Sequence, residues 1–429
     1  MAITIGNTFL LKLYKGSTQI TKLYLGGNLL FPPTSNITDF VTTWRTTGTN
    51  EVITIPTIGS GYNYDIETSD GQTFTGVTGD QAITFPSAGD YDVNISGLFP
   101  IIYINNGVDD LKLIDVKQFG NIVWGSFNSS FYGAENLTGS FTDTPNLSGV
   151  TNISFVFRGA SSFNGDISSW DVSNVTNISR CFEGASLFNQ DISLWSVDSV
   201  TNMSSAFRDA LAFNQNINSW DVSNVTNMKE MFDNTDSFNQ NLNSWVTTSV
   251  INMNQMFRDS LIFNGNISLW DVSSVTDMGL MFLNASSFNQ DIGSWDVGNV
   301  TNMGGMFRNC TVFNHDLNSW DVSNVTNMSL MFENASAFNQ NIEDWDIAEV
   351  TNFTNFLTDS TLSIANYDAL LIGWNATLQS AYPFSTIGYP TNISFSGGDS
   401  QYTGGGAAAS ARANLINRFS WTITDGGIA

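Results

Sequence analysis

Tryptophan recurs at Trp170, Trp195, Trp220, Trp245, Trp270, Trp295, Trp320 and Trp345, every 25 residues without a slip. Around each stands the same unit. Its first copy is Trp170-Asp171-Val172-Ser173-Asn174-Val175-Thr176-Asn177-Ile178, running through Cys181-Phe182, Ala185 and Phe188-Asn189 to Ile192. A fixed period of this length predicts a solenoid, in which each unit buries its apolar face on its neighbours. Half of the 429 residues then need no conventional globular core.

Within the unit, Ile167-x-x-Trp170-x-Val172-x-x-Val175 fits the leucine-rich-repeat pattern, with Trp and Val in the apolar slots. A strand there turns Trp170 and Val172 inward and Asp171 outward. Ile178, Cys181, Phe182 and Ala185 follow at spacings of three and four, which predicts the apolar stripe of a short helix, capped by Thr176 or Asn177. Phe188 seals the base. The asparagines after it, Asn164, Asn189, Asn214, Asn239, Asn264, Asn289, Asn314 and Asn339, predict a ladder of core-facing amides that satisfies the turn's backbone.

Two charged columns follow from the same period. Arg158, Glu183, Arg208, Asp233, Arg258, Leu283, Arg308 and Glu333 alternate in sign apart from Leu283. Such stacked pairs contribute about 0.2–1 kcal/mol each and disfavour a slip of one repeat. Asp171, Asp221, Asp271, Asp296, Asp321 and Asp346 instead share one sign and one outward phase. Like charges on adjacent strands repel, so water, a backbone turn or a cation must relieve them. Ca2+ would want about six to eight oxygens, and Ser169, Ser173 and their equivalents supply few. These six aspartates are the candidate ligand-binding residues; no metal-ligand cluster and no cofactor motif appears.

The array occupies 151–360, with an N-terminal cap at 109–150 and a C-terminal cap at 361–429. The N-terminal cap holds a strand at Leu111, Leu113, Ile114 and Val116, then Trp124, Phe127, Phe131 and Tyr132 at helix-like spacing. In the C-terminal cap, Tyr367–Trp374 and Ala407–Arg418 read as helices and Trp421–Thr424 as a strand. Residues 34–108 read as a small β-sandwich. Val52–Ile55, Tyr62–Glu67, Ile83–Phe85 and Tyr91–Ile95 are its strands, separated by Gly59-Ser60-Gly61, Asp70-Gly71 and Pro86-Ser87-Ala88-Gly89. Residues 1–33 form a β unit in which Leu11-Lys12-Leu13-Tyr14-Lys15-Gly16 is echoed by Thr21-Lys22-Leu23-Tyr24-Leu25-Gly26. Cys181 and Cys310 lie five repeats apart, about 24 Å at the strand spacing. That is beyond the reach of a disulfide, so both are expected as small core residues.

Composition narrows the partners. With 39 acidic against 14 basic residues the formal charge is −25, which repels a phosphate backbone and an anionic membrane surface. No apolar run long enough to span a bilayer is present, and Met1–Asn7 lacks the basic and apolar regions of a secretory signal. The one histidine, His315, stands where other repeats have Gln or Gly. With no catalytic constellation around it, the chain is expected not to be an enzyme.

The unit Trp-Asp-Val-x-x-Val-Thr-Asn-Met-x-x-Met-Phe-x-x-Ala-x-x-Phe-Asn at 320–339 resembles the BspA-type leucine-rich-repeat family of mycoplasma and flavobacterial surface proteins. The likeness extends over 110–429, including Ala-Leu-Leu-Ile-Gly-Trp and Trp-Thr-Ile-Thr-Asp-Gly-Gly. It implies surface adhesion and recognition, with no catalytic residues to carry over. The run from Asp70-Gly71 to Gly89-Asp90-Tyr91-Asp92-Val93 resembles the PKD-type immunoglobulin-like domain, a spacer, with Thr68-Ser69 where that family usually has Trp-Gly. Residues 1–33 resemble short N-terminal modules of phage structural proteins. Together these imply a phage virion fibre or decoration protein on the virion surface. Residues 1–33 would dock on capsid or tail proteins, and the array would meet a host cell-surface glycan or protein. A homo-oligomer is compatible with this. A bacterial cell-surface adhesin and a purely structural virion component are the alternatives.

Overall fold

The computed structural model describes residues 13–15, 18–20, 23–25, 28–31, 38–383 and 392–429. At the N-terminus β1 (Leu13–Lys15) pairs antiparallel with β2 (Thr18–Ile20), and β3 (Leu23–Leu25) with β4 (Asn28–Phe31). These short pairs match the expected paired strands; the expected turns between them, at 16–17 and 26–27, lie outside the described residues. Residues 1–12 lie outside the described residues.

An antiparallel β-sheet region follows. β5 (Phe40–Thr46), β7 (Asn63–Thr68), β8 (Thr73–Val77), β10 (Gly89–Leu98) and β11 (Leu113–Gln118) form one sheet in the order β11-β5-β10-β7-β8. β6 (Glu51–Ile55) and β9 (Gln81–Phe85) form a two-stranded sheet. Strand period sets the burial: on β7, Tyr64 and Ile66 are buried while Asn63 and Asp65 face solvent. The Phe85 ring lies 4.0 Å from that of Tyr91, joining the two sheets.

β11, the strand expected within 109–150, also serves the antiparallel sheet. Leu113 pairs with Trp44 and Val116 with Thr42, so this strand closes the antiparallel sheet. Its other edge receives the repeats: Thr138 and Ser140 N–H groups donate to the Ile114 and Val116 carbonyls, each at 3.0 Å. One strand with two usable edges thus joins both parts. Gly120 (φ +64°) makes the crossing tight, since a Cβ there would lie 2.3 Å from the Asp39 carbonyl oxygen. The Asp143 carboxylate accepts from the Phe119 and Gly120 N–H groups at 3.0 and 2.7 Å.

The long repetitive domain then runs with its tryptophans and phenylalanines in step. It contains neither the helix expected over Ile178–Ala185 nor a strand at Trp170–Val172. Among the described residues, no helix or strand of more than a single bridge lies between Gln118 and Ile364. The backbone alternates instead. Ile178, Arg180, Phe182 and Gly184 donate to the carbonyls of Asn202, Ser204, Ala206 and Arg208 in the next repeat at 2.8–3.1 Å. Between them, Cys181 donates to Ile178 and Ala185 to Phe182, closing tight turns. Arg180 (φ 56°) and Gly184 (φ 73°) are left-handed, which no α-helix tolerates. The three-and-four spacing of apolar residues therefore comes from successive turns. Parallel bridges run through Asn152, Asn177, Asn202, Asn227, Asn252, Asp277, Asn302, Asn327 and Asn352, later in the unit than the expected strand.

The C-terminal helices are α1 (Ile364–Ala381) and α2 (Ala407–Phe419). The Ser363 hydroxyl accepts from the Asn366 N–H and caps α1. β12 (Ser394–Ser396) and β13 (Thr422–Thr424) pair parallel, and Phe395 bridges Phe353, which prolongs the bridges of the repeats. The Trp374 indole N–H donates to the Ile342 carbonyl at 3.0 Å, doing for α1 what the repeat tryptophans do before it.

Candidate functional site

Each repeat is held by aromatic columns and shows solvent a narrow polar strip. Phe182, Phe207, Phe232, Phe257, Phe282, Phe307 and Phe332 stack with steps of 5.4–5.8 Å between neighbours. A second column, from Phe163 and Phe188 to Phe338, packs beside it, with Phe182 and Phe188 only 4.0 Å apart. The indoles line up less continuously. Trp195 and Trp220, Trp245 and Trp270, Trp270 and Trp295, and Trp320 and Trp345 lie face to face at 6.1–6.5 Å and within 6° of parallel. Trp170 instead meets Phe119 and Phe127 edge-on. The Trp195, Trp220, Trp245 and Trp270 N–H groups each donate to a carbonyl of the preceding repeat at 2.8–3.0 Å.

The asparagine ladder forms at the rim rather than in the core. The side-chain oxygens of Asn164, Asn189, Asn214, Asn239, Asn264, Asn289 and Asn314 accept the backbone N–H of the asparagine in the next repeat at 2.8–3.2 Å. Asn339 accepts from Ser363. Asn164, Asn239, Asn264, Asn289, Asn314 and Asn339 are exposed and Asn189 and Asn214 half-buried, because Phe163, Phe188 and their equivalents fill the core beside them. The next side chain adds a second rail: Gln190, Gln215, Gln240, Gln290 and Gln340 donate to the carbonyl of the asparagine one repeat earlier. His315 takes that place beside Asn289, which accounts for the histidine.

In the alternating column, Arg158 meets Glu183 at 3.1 Å, Arg208 lies 3.4 Å from Asp233, and Arg308 pairs with Glu333. Arg258 grips Asp233 through Nε and Nη2 at 2.8 and 2.6 Å. Leu283 leaves the gap that its sequence requires. Cys181 and Cys310 are free and buried; burial pushes both thiols up, and the Cys310 Sγ lies 3.0 Å from the Phe282 carbonyl it donates to.

The six candidate aspartates, Asp171, Asp221, Asp271, Asp296, Asp321 and Asp346, are all exposed. One oxygen of each accepts the N–H two residues on, from Ser173, Ser223, Ser273, Gly298, Ser323 and Ala348, at 3.0–3.1 Å. Each therefore closes an Asx turn. At Asp171, Asp221, Asp271 and Asp321 the serine hydroxyl, and then its N–H, hold the carboxyl below the usual carboxylate range. Among the described residues no three His, Cys, Asp or Glu side chains converge to hold a metal ion.

Beside this column runs a groove of about 840 Å3 that includes Asp191, Gln215, Asn218, Ser219, Asp221, Ser244 and Val246. A smaller one of about 430 Å3 includes Leu269, Asp271 and Asp296. Only the aspartates were singled out from sequence. Asp191, Gln215, Asn218 and Val246 were not, although Val246 is visible as a departure from its column. No helix among the described residues is long and apolar enough to cross a membrane.

No curated protein and no solved structure matches the chain. A family described as "Mycoplasma protein of unknown function, DUF285" matches three overlapping stretches, 125–245, 195–286 and 262–369. These stretches span more than half of the chain and coincide with the repetitive domain. The chain belongs to the DUF285 family.

Proposed function

We propose that this is a display protein and not an enzyme. The repetitive domain is read as a leucine-rich-repeat solenoid of the BspA type, and the antiparallel region as an immunoglobulin-like spacer. Residues 1–33 dock the chain on capsid or tail proteins of a phage-like particle, and the array meets a glycan or protein of the host surface. The observation that carries this reading is the outward strip itself. Six exposed carboxylates are fixed by turns to the N–H two residues on, and the backbone around them bonds from repeat to repeat. A rigid, extended and weakly polar face suits recognition over a long contact.

Asp→Asn at 221, 271, 296 and 321 keeps the turn acceptor and removes the charge. The variant is expected to stay folded and to bind host cells more weakly than the parent chain. Unchanged cell binding would remove the aspartate face from the proposal. A bacterial cell-surface adhesin is the second reading, favoured by the family's description as a Mycoplasma protein. Recovery of the polypeptide from purified virions supports the first reading; recovery from a bacterial envelope supports the second.

A further inference from the structure

Three side chains depart from the polar outward strip. Leu194 and Leu269 are 86% and 74% exposed in a column that otherwise carries Ser169, Ser219, Ser244, Ser294, Ser319 and Asp344. Val246, 51% exposed, stands where Asp221 and Asp271 flank it in the neighbouring repeats. Val246 lines the larger groove with Ser219 and Ser244, and Leu269 lines the smaller one with Asp271. Leu194 holds the place of Ser219 one repeat earlier. None of the three is required by the repeat, because neighbouring repeats fold with Ser or Asp there. Apolar exposure is thus concentrated over 191–271, whereas Asp271, Asp296, Asp321 and Asp346 form an unbroken acidic run beyond it.

The chemistry of the groove selects its occupant. Gln215 and Asn218 offer amide donors and acceptors, Ser219 and Ser244 offer hydroxyls, and Asp191 and Asp221 accept. No Lys, Arg or His lines the groove. An anionic ligand would meet two carboxylates and no cation. A cationic peptide would find more charge over 271–346 than here, where Ser196 and Val246 interrupt the aspartates. A pyranose ring has an apolar C–H face and a rim of hydroxyls that both donate and accept. The volume of about 840 Å3 falls in the range of small-ligand sites.

We infer that the two grooves, the larger lined by Val246 and the smaller by Leu269, with the exposed Leu194 next in the chain to the lining Ser193, bind an uncharged glycan chain. This rests on the display reading above and names its ligand class. The test is titration calorimetry of the full chain with dextran, mannan and β-1,4-glucan oligosaccharides. Polygalacturonate serves as the acidic glycan and oligolysine as the cationic peptide. One of the neutral probes is expected to bind, and the triple variant L194S, V246D and L269S to bind about tenfold more weakly. The variant is expected to stay folded, since each substitution installs a residue that neighbouring repeats already carry. Failure of all three neutral probes, or equal binding of polygalacturonate or oligolysine, overturns the inference. If the chain adheres to host cells and no neutral probe competes, the glycan assignment falls and the display reading stands. If the chain adheres to no host cell, the display reading falls.

Discussion

Phe257 lies between Phe232 and Phe282 at 5.6 and 5.8 Å and against Phe263 at 3.8 Å. Truncation to alanine opens a cavity between two repeats that cannot close over it, so Phe257→Ala is expected to cost about 3–5 kcal/mol, read from urea unfolding. The pH response belongs to single residues too. Hydrogen bonds from Ser173, Ser223, Ser273 and Ser323 hold four aspartates below the usual carboxylate range in the folded chain. As pH falls through the normal range, about pH 4, the unfolded chain takes up protons before the folded one does. The stabilisation is therefore complete above that pH and is lost below it. Melting temperature is expected to drop between about pH 5 and pH 3, and to drop less when the four are changed to Asn. The outward phase of these residues was legible from their place between the apolar Trp170 and Val172 and their copies, although no strand forms there. Their turn bonds were less so, because a carboxylate in a repulsive column and one closing a turn look alike in sequence.

At the scale of the element, the acid–base column shows what a buried pair does. Asp233 is fully buried beneath Arg258 and Arg208. Asp233→Leu leaves two guanidiniums facing an apolar side chain and is expected to lose about 3–5 kcal/mol. The double change Asp233→Leu with Arg258→Leu is expected to lose less, because Leu283 already occupies this column without a charged partner. Chemical denaturation of the three proteins decides it; a double variant no better than the single one counts against the pairing. The column was legible because its period and its alternation agree. The helix was misread because tight turns and an α-helix both place apolar residues three and four apart. A better signal stood at Gly184, Asp209, Asn234, Asp259, Asn284, Asn309 and Asn334. These are residue types that accept left-handed backbone, and all have φ between 53 and 73°. β5 and β8 were not separated from their surroundings, and β11 was assigned to the cap because its two-edged pairing leaves no mark on its own residues.

Over the whole molecule, a net charge of −25 works against compactness. Screening is expected to raise the melting temperature between about 0.01 and 0.15 M NaCl, as the Debye length falls from about 30 to about 8 Å; an unchanged value would mean that the charges are locally compensated. That more than half of the chain is a repetitive domain with periodic Trp and Phe was readable from one period. The groove was not, because it is made by departures from that period. The central claim is that outward side chains one period apart are neighbours on a single surface. Pairwise cysteine replacement measures this directly, with the native Cys181 and Cys310 free and buried. Ser219→Cys with Ser244→Cys is expected to form a disulfide under mild oxidation, because adjacent repeats bring the pair within about 7 Å. Ser219→Cys with Ser294→Cys is expected to stay reduced. A disulfide in the second protein and none in the first would contradict the account.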